Sequence, residues 1–252
     1  GEYDPSTDTL TQPTLSGGPA SPSFYGALTL PDGDILCLPR KAHKMIRYTP
    51  GDSTVSQVGT AATQQNGFGG FCLAPSGNVY VIPEKDTVVY KYDPVANTMT
   101  SIATGISSRY KGATTDNTGN IIAAPSNASN FLHIDTATDT VSTKTYGASG
   151  LSGTIPFLFG CHTLPNGNVL ALAYKVEKFY EINGRDETLR EHSTAITDPT
   201  MLAGAYGGND IFFCANASKD KVVRFRTNAD TSSVSANTQF TFALQPVGTG
   251  SL

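Results

Sequence analysis

Aromatic and basic side chains in the polar loops of this chain are the first candidates for chemistry. Tyrosine rings offer flat apolar faces, and arginine and lysine offer several hydrogen-bond donors, so together they suit a carbohydrate or a protein surface. The alternative interpretation, that these loops are ordinary solvated turns, stays open. The predicted binding residues are Tyr25, Arg40, His43, Lys85, Arg109, Tyr110, Tyr174 and Lys219.

Catalytic chemistry has fewer candidates. His162 is the one titratable side chain that we expect in an innermost strand, and no acid or nucleophile stands at a matching position, which favours a structural or channel-lining histidine over a base. Asp32-Gly33-Asp34 and the segment from Asp135 to Asp139 resemble parts of calcium loops, but turn formation explains both. We find no phosphate-binding glycine loop and no Gly-x-Ser-x-Gly turn. We therefore predict no catalytic residue, no metal site and no cofactor.

Composition narrows the class of protein. The 252 residues include 38% hydrophobic and 15% charged residues, 25 glycines and 15 prolines, which is enough for a sizeable core but disfavours long helices. The net charge of -4 argues against a nucleic-acid partner. The longest apolar runs are the length of a strand, and residues 1–20 lack a signal-peptide pattern, so we expect no membrane insertion.

The four cysteines all lie within apolar segments and form no Cys-x-x-Cys pair. We interpret them as buried free thiols that fill core space, and this favours folding in a reducing compartment. They are Cys37, Cys72, Cys161 and Cys214.

The elements that must position these side chains come from an internal repeat of about 44 residues. Each unit contains an apolar strand, a tight turn with glycine, and a second apolar strand, as in the segment 70–83. The turn glycines are separated by 44, 42, 48 and 41 residues. They are Gly33, Gly77, Gly119, Gly167 and Gly208.

Each unit continues into a third strand and then, after an Asp-Pro or Asp-Thr turn, into a fourth strand rich in Thr and Ser. Four strands per unit, grading from apolar to polar, are typical of a β-propeller blade whose first two strands are buried on both faces. The predicted units span residues 24–60, 68–104, 110–146, 158–194 and 202–236 of a single domain over 1–252.

The two ends of the chain suggest how the ring closes. Residues 2–11 match residues 91–100 in type and spacing, so 1–17 reads as the end of a blade, and residues 237–252 read as a closing segment. We predict an all-β propeller of five blades, with six as the alternative, closed by strands from both termini. A third interpretation is that the chain is part of a longer one.

The repeat, with its Pro-x-Gly-Asn-Val turn and its Tyr-Asp-Pro-x-x-Asn-Thr segment, resembles kelch-like or NHL-like propeller repeats, and similar units occur in phage and viral tail-associated proteins. The repeat, with its Asp-Pro segments, also resembles the blades of the streptogramin-lyase propellers. Lactonase-type propellers carry acidic ligands on their innermost strands, and those strands here hold no carboxylate.

These resemblances imply a non-enzymatic binding or structural module, a virion surface or tail component that attaches to a host glycan or protein or to a neighbouring virion subunit. The implied location is the virion or the extracellular space after folding in a reducing cytoplasm. The alternative is a propeller enzyme of the lyase or lactonase class. The ligand, the host and the oligomeric state are left open.

Overall fold

The computed structural model describes residues 2–11, 24–40, 44–50, 52, 54–107, 109–147, 158–173, 178–193, 201–206, 211–216 and 222–226. The regular elements in these ranges are β-strands that pair antiparallel with their neighbours in the sequence. The same ranges contain no helix long and apolar enough to span a membrane. The predicted all-β class is confirmed.

The N-terminal part forms a hairpin and two four-stranded sheets. The N-terminal hairpin pairs β1 (Glu2–Asp4) with β2 (Thr9–Thr11). Sheet 1 consists of β3 (Phe24–Thr29), β4 (Ile35–Pro39), β5 (Met45–Thr49) and β6 (Thr54–Val58). Sheet 2 consists of β7 (Phe68–Leu73), β8 (Val79–Pro83), β9 (Val89–Asp93) and β10 (Thr98–Ala103).

Three further sheets repeat this order. Sheet 3 consists of β11 (Tyr110–Thr115), β12 (Ile121–Pro125), β13 (Phe131–Asp135) and β14 (Thr140–Lys144). Sheet 4 consists of β15 (Leu158–Thr163), β16 (Val169–Ala173), β17 (Lys178–Asn183) and β18 (Thr188–Ser193). Sheet 5 has three described strands, β19 (Met201–Tyr206), β20 (Ile211–Asn216) and β21 (Val222–Arg226).

Two turns recur from sheet to sheet and fix the strand register. In the turn between the third and fourth strands, an aspartate accepts hydrogen bonds from the following backbone, as Asp93 does from the N–H of Val95 at 2.9 Å and Asp135 from that of Ala137 at 2.9 Å. The turn between the first and second strands needs a positive φ, between 81° and 91°, which glycine supplies at Gly33, Gly77, Gly119 and Gly167. Both predicted turns are therefore confirmed at these positions.

In the described part of the chain, the core consists of three clusters that lie between neighbouring sheets. Leu36 of sheet 1 belongs to the same cluster as Val79 of sheet 2, and Tyr80 of sheet 2 belongs to the same cluster as Ile121 of sheet 3. The strands β8 and β12 are buried at every position, whereas every residue of the outer strands β10 and β14 is half-buried or exposed. The predicted gradient from an apolar inside to a polar outside is confirmed.

The innermost strands differ from the expectation that they are buried on both faces. Alternate residues of β7 are half-buried, all of β11 after Tyr110 is half-buried, and β3 is exposed at most positions. These strands face the centre of the molecule, where a cavity leaves part of their surface open.

The sheets follow one another around this centre. β3 packs beside β7, β7 beside β11, β11 beside β15, and β15 beside β19, so that the first strands of successive sheets are neighbours. This arrangement is propeller-like. In the described part of the chain, sheet 5 makes no comparable contact with sheet 1 or the N-terminal hairpin. The number of blades and the closure of the ring stay predictions.

Candidate functional site

The innermost strands of sheets 1 to 4 surround a cavity of about 280 Å³. Small-molecule sites typically have volumes of roughly 300–1,000 Å³, so this cavity suits a small ligand. Much of its wall is backbone, because five of the described lining residues are glycines. The aromatic and charged or titratable side chains that reach it are Tyr25, Phe71, Glu84, Lys111 and His162.

Glycines bring the innermost strands into direct backbone contact beside the cavity. A Cβ atom on Gly70 would lie 2.9 Å from the Cα of Gly112, and one on Gly112 would lie 2.6 Å from the Cα of Gly160. Real Cβ atoms do not approach other atoms so closely. Gly70 and Gly112, which open the second and third repeats, are therefore needed for packing against the next strand, and we call Gly70, Gly112 and Gly160 the glycine collar.

A β-bulge in each innermost strand lies next to the collar. The register shift after Phe24 leaves Tyr25 without a partner on β4, and in β11 the extra residue is Gly112, with a φ of 65°. Bulges turn the strand locally and re-aim the neighbouring side chains. This is how Tyr25 and Lys111, on different strands, both come to line the cavity.

Glu84 and Lys111 form an ion pair in the cavity wall. Lys111 Nζ lies 3.1 Å from Glu84 Oε1, and the two side chains are 17% and 8% exposed, respectively. Glu84 follows directly on β8, where its backbone N–H donates to the carbonyl of Gly67 at 2.7 Å. Its second carboxylate oxygen, Oε2, is buried and has no hydrogen-bond partner among the described residues.

His162 and Tyr25 are both held neutral at the cavity. Burial lowers the pKa of His162, so its imidazole is uncharged at neutral pH. Burial raises the pKa of Tyr25, the charge of Glu84 raises it further, and Arg40 acts in the opposite direction. The guanidinium carbon of Arg40 lies 5.8 Å from the centre of the Tyr25 ring, a cation–π contact at the rim.

The eight residues predicted to bind a partner are placed differently. Tyr25 and Arg40 come together at the cavity. Lys85 and Arg109 are exposed in loops outside it, and the backbone N–H of Arg109 donates to Asn127 Oδ1 at 2.6 Å. The role of these four residues stays a prediction.

Tyr110 is a correction to the predicted rim. It is 1% exposed and belongs to the core cluster between sheets 2 and 3, because it opens β11 with its side chain on the buried face. The side chain packs in the core rather than in a rim loop. The remaining three predicted residues, His43, Tyr174 and Lys219, lie outside the described residues.

Glu84 and Lys111 are not among the predicted binding residues, although their positions in the repeat match those of two residues that are. Glu84 stands directly after the proline that ends a second strand, as Arg40 does, and Lys111 stands directly before a repeat glycine, as Tyr25 does. The innermost strands indeed hold no carboxylate, but Glu84 reaches the cavity from the position after β8. His162 is not the one titratable side chain there, because β11 begins early enough to include Lys111.

The cysteines fit the predicted role where they are described. Cys72 and Cys161 are buried free thiols, and Cys37 is a half-buried free thiol. Burial raises the pKa of Cys72 to about 12, so its thiol is protonated at neutral pH. The side chain of Cys214 lies outside the described residues. The described ranges bring together no group of three or more potential metal-ligating His, Cys, Asp or Glu side chains.

Comparison with protein-family models and with curated protein sequences finds no significant match. Among solved structures, virginiamycin B lyase from Staphylococcus aureus is similar with a TM-score of 0.70 at 12% identity, covering 81% of this chain and 67% of that protein. Its catalytically inactive histidine-to-alanine variant, solved with quinupristin, has a TM-score of 0.70 at 12% identity and covers 82% and 67%.

A second similar protein is the extracellular domain of a putative hybrid two-component system from Bacteroides thetaiotaomicron, with a TM-score of 0.63 at 13% identity, covering 83% of this chain and 30% of that one. A streptogramin B lyase structure is also similar, with a TM-score of 0.69 at 14% identity. The match covers 81% of this chain and 65% of the lyase.

These likenesses establish the fold alone, which is propeller-like; the kelch-like and NHL-like labels are only loosely consistent with them. The neighbours include propeller enzymes at low identity, and they give no support to a viral or virion role.

Proposed function

We propose that this protein is a binding module that holds a small molecule in the cavity between its innermost strands. The observation that carries the proposal is Glu84, a residue of the cavity wall whose buried Oε2 has no hydrogen-bond partner among the described residues. A ligand that donates a hydrogen bond to this oxygen would complete the site.

A buried oxygen without a hydrogen-bond donor raises the free energy of the folded protein. A buried acceptor without a donor costs about 1–3 kcal/mol, and more when it is charged. Lys111 neutralises the charge but contacts the other oxygen. No donor among the described residues offsets this cost at Glu84 Oε2, so a ligand that donates a hydrogen bond there would contribute favourable free energy.

Attachment to a large surface is a weaker fit to the same geometry. The cavity is concave and framed by backbone, so it would receive a small molecule or the end of a chain rather than a flat protein face. Tyr25 and Arg40 at its rim would then contact the parts of the ligand that extend outwards.

A ligand-detected NMR screen with a library of neutral, cationic and anionic fragments tests the proposal. The control variant is Gly26→Leu, because Gly26 lines the cavity and a Cβ there would meet only Phe71, at 3.8 Å. We expect fragments that bind the wild type and bind Gly26→Leu about tenfold more weakly or not at all. Equal binding to both proteins, or none to the wild type, would overturn the proposal.

Lyase activity is the second candidate function, and His162 is the observation that favours it. A neutral imidazole in the same cavity as a carboxylate and an ammonium group could accept a proton from a bound substrate. Incubation with quinupristin, followed by mass spectrometry, tests this candidate. Conversion by the wild type and none by His162→Ala would support it, whereas an unchanged compound with both proteins would count against it.

A further inference from the structure

Among the described residues that line the cavity, the two charged side chains form one ion pair. Glu84 contributes one negative charge and Lys111 one positive charge, while His162 and Tyr25 are neutral at neutral pH. An anionic ligand would meet the unpaired Glu84 oxygen and be repelled. A cationic ligand would satisfy that oxygen but would approach the ammonium group of Lys111. The site therefore favours a neutral ligand.

The ion pair also restricts which neutral group fits. A hydroxyl group both donates and accepts a hydrogen bond through a single oxygen atom. It can donate to Glu84 Oε2 while its oxygen, or that of an adjacent hydroxyl, accepts from the nearby Lys111 ammonium, because Lys111 Nζ and Glu84 Oε1 are only 3.1 Å apart. An ammonium ligand cannot accept such a bond, and a carboxylate ligand cannot donate one.

Apart from Glu84, Lys111 and His162, the described part of the wall is largely apolar and partly aromatic. Tyr25 and Phe71 contribute rings, and Leu38 and the glycine collar contribute surface without hydrogen-bonding side chains. A ligand with hydroxyl groups at one edge and C–H groups on its faces matches such a wall, because aromatic rings attract the weakly positive hydrogens of C–H groups. Sugars combine these two properties.

We infer that the ligand of this cavity is a neutral sugar, held by a hydroxyl group that donates to Glu84 Oε2. This inference rests on the binding function proposed above and adds the chemical class of the ligand. The sugar can be free in solution or the terminal residue of a longer glycan, since both present the same hydroxyl groups.

Saturation-transfer NMR and calorimetry with three sets of probes test the inference. The first set is neutral monosaccharides, the second is neutral oligosaccharides, and the third is the amine and acid analogues, glucosamine and glucuronate. We expect at least one neutral sugar to bind about tenfold more tightly than its amine and acid analogues. Binding by oligosaccharides alone would identify a glycan terminus as the source, and binding by monosaccharides would identify the free sugar.

A pair of matched variants ties the binding to Glu84. Glu84→Gln removes the charged acceptor and is expected to weaken sugar binding about tenfold or more. Glu187→Gln is the control, because Glu187 also pairs with a lysine, Lys144, at 2.6 Å, but outside the cavity. We expect it to bind sugar as the wild type does. If Glu84→Gln does not fold, Gly26→Leu replaces it as the variant that closes the cavity.

The outcomes separate this inference from the function on which it rests. Fragments that bind in a Gly26→Leu-sensitive way, without any sugar among them, would overturn the sugar class and keep the binding function. Preference for glucosamine or glucuronate over the neutral sugar would also overturn it, as would equal sugar binding by the wild type and Glu84→Gln. The absence of all binding would overturn both.

Discussion

One position on the third strand shows how residue identity changes the chemistry at a fixed place in the repeat. Arg47, Lys91, His133 and Glu181 each pair with the same position of the second strand in sheets 1 to 4. Arg47 donates to Asp34 Oδ2 at 2.5 Å, Lys91 lies 2.7 Å from Asp139 Oδ2, and Glu181 Oε2 lies 2.9 Å from His192 Nε2. The backbone repeats, but each sheet has its own polar contacts.

Glu181 is expected to make the stability of the fold sensitive to acid. Hydrogen bonds from His192 first, then from Asn168 and Asn166, lower the pKa of Glu181 from 4.5 to about 2. The folded pKa is below the unfolded one, so the ionised carboxylate stabilises the fold above about pH 4.5, and this contribution is lost as the pH falls towards 2. The shift corresponds to at most about 3 kcal/mol at neutral pH, and to less where solvent screens this half-buried carboxylate.

Urea unfolding of the wild type and of Glu181→Gln at several pH values measures this contribution. The glutamine keeps the shape of the side chain but does not titrate. We therefore expect the free-energy difference between the two proteins to be largest near neutral pH and to shrink below about pH 4.5. A constant difference over this range would contradict the prediction.

At the level of strands and turns, the sequence predicts most of what the structure contains. The apolar segments, the glycine turns and the Asp-centred turns are local signals, so the strands β3 to β18 lie close to their predicted places. The cavity could not be predicted in the same way. It depends on which side chains of different sheets converge, and Glu84 and Lys111 are separated along the chain by two strands and their loops. Their proximity follows from the sequence only when the repeats are aligned, because Glu84 then matches Arg40 and Lys111 matches Tyr25.

The glycine collar gives a test at this level. Gly112→Ala is expected to destabilise the fold for two reasons, since Gly112 has a φ of 65° and its Cβ would lie 2.6 Å from the Cα of Gly160. The left-handed backbone costs about 1–2 kcal/mol for alanine, and the overpacking adds about 1–3 kcal/mol. Chemical denaturation should show a combined loss of about 2–5 kcal/mol.

Gly105→Ala is the matched control for the collar. Gly105 has a φ of 76°, but a Cβ there would meet no atom within 4 Å, so this variant has the backbone cost without the steric one. We expect it to lose only about 1–2 kcal/mol. Equal losses in the two variants would mean that the close approach of β11 to β15 contributes nothing.

At the scale of the whole molecule, the first sheet and the N-terminal hairpin expose surfaces that their counterparts bury. Phe24 is 38% exposed, whereas Phe68, at the same place in sheet 2, is 0% exposed. Tyr3 of the hairpin is 60% exposed, whereas Tyr92 at the matching place is 0% exposed. A two-stranded hairpin is only marginally stable by itself. Both surfaces are those that a further blade, built from strands of both termini, would cover.

Hydrogen–deuterium exchange tests this predicted closure, because the matching strands of other repeats provide the reference protection. If the ring closes, we expect the amides of β1 and β2 to be as protected as those of β9 and β10, which share their sequence pattern, and β3 to be as protected as β7. Protection that does not change on dilution would mean that the covering strands come from the same chain, and protection lost on dilution would mean that a second chain supplies them. Exchange of β1 and β2 at the rate of an unstructured peptide, beside a protected β9 and β10, would show that the hairpin takes no part in a blade.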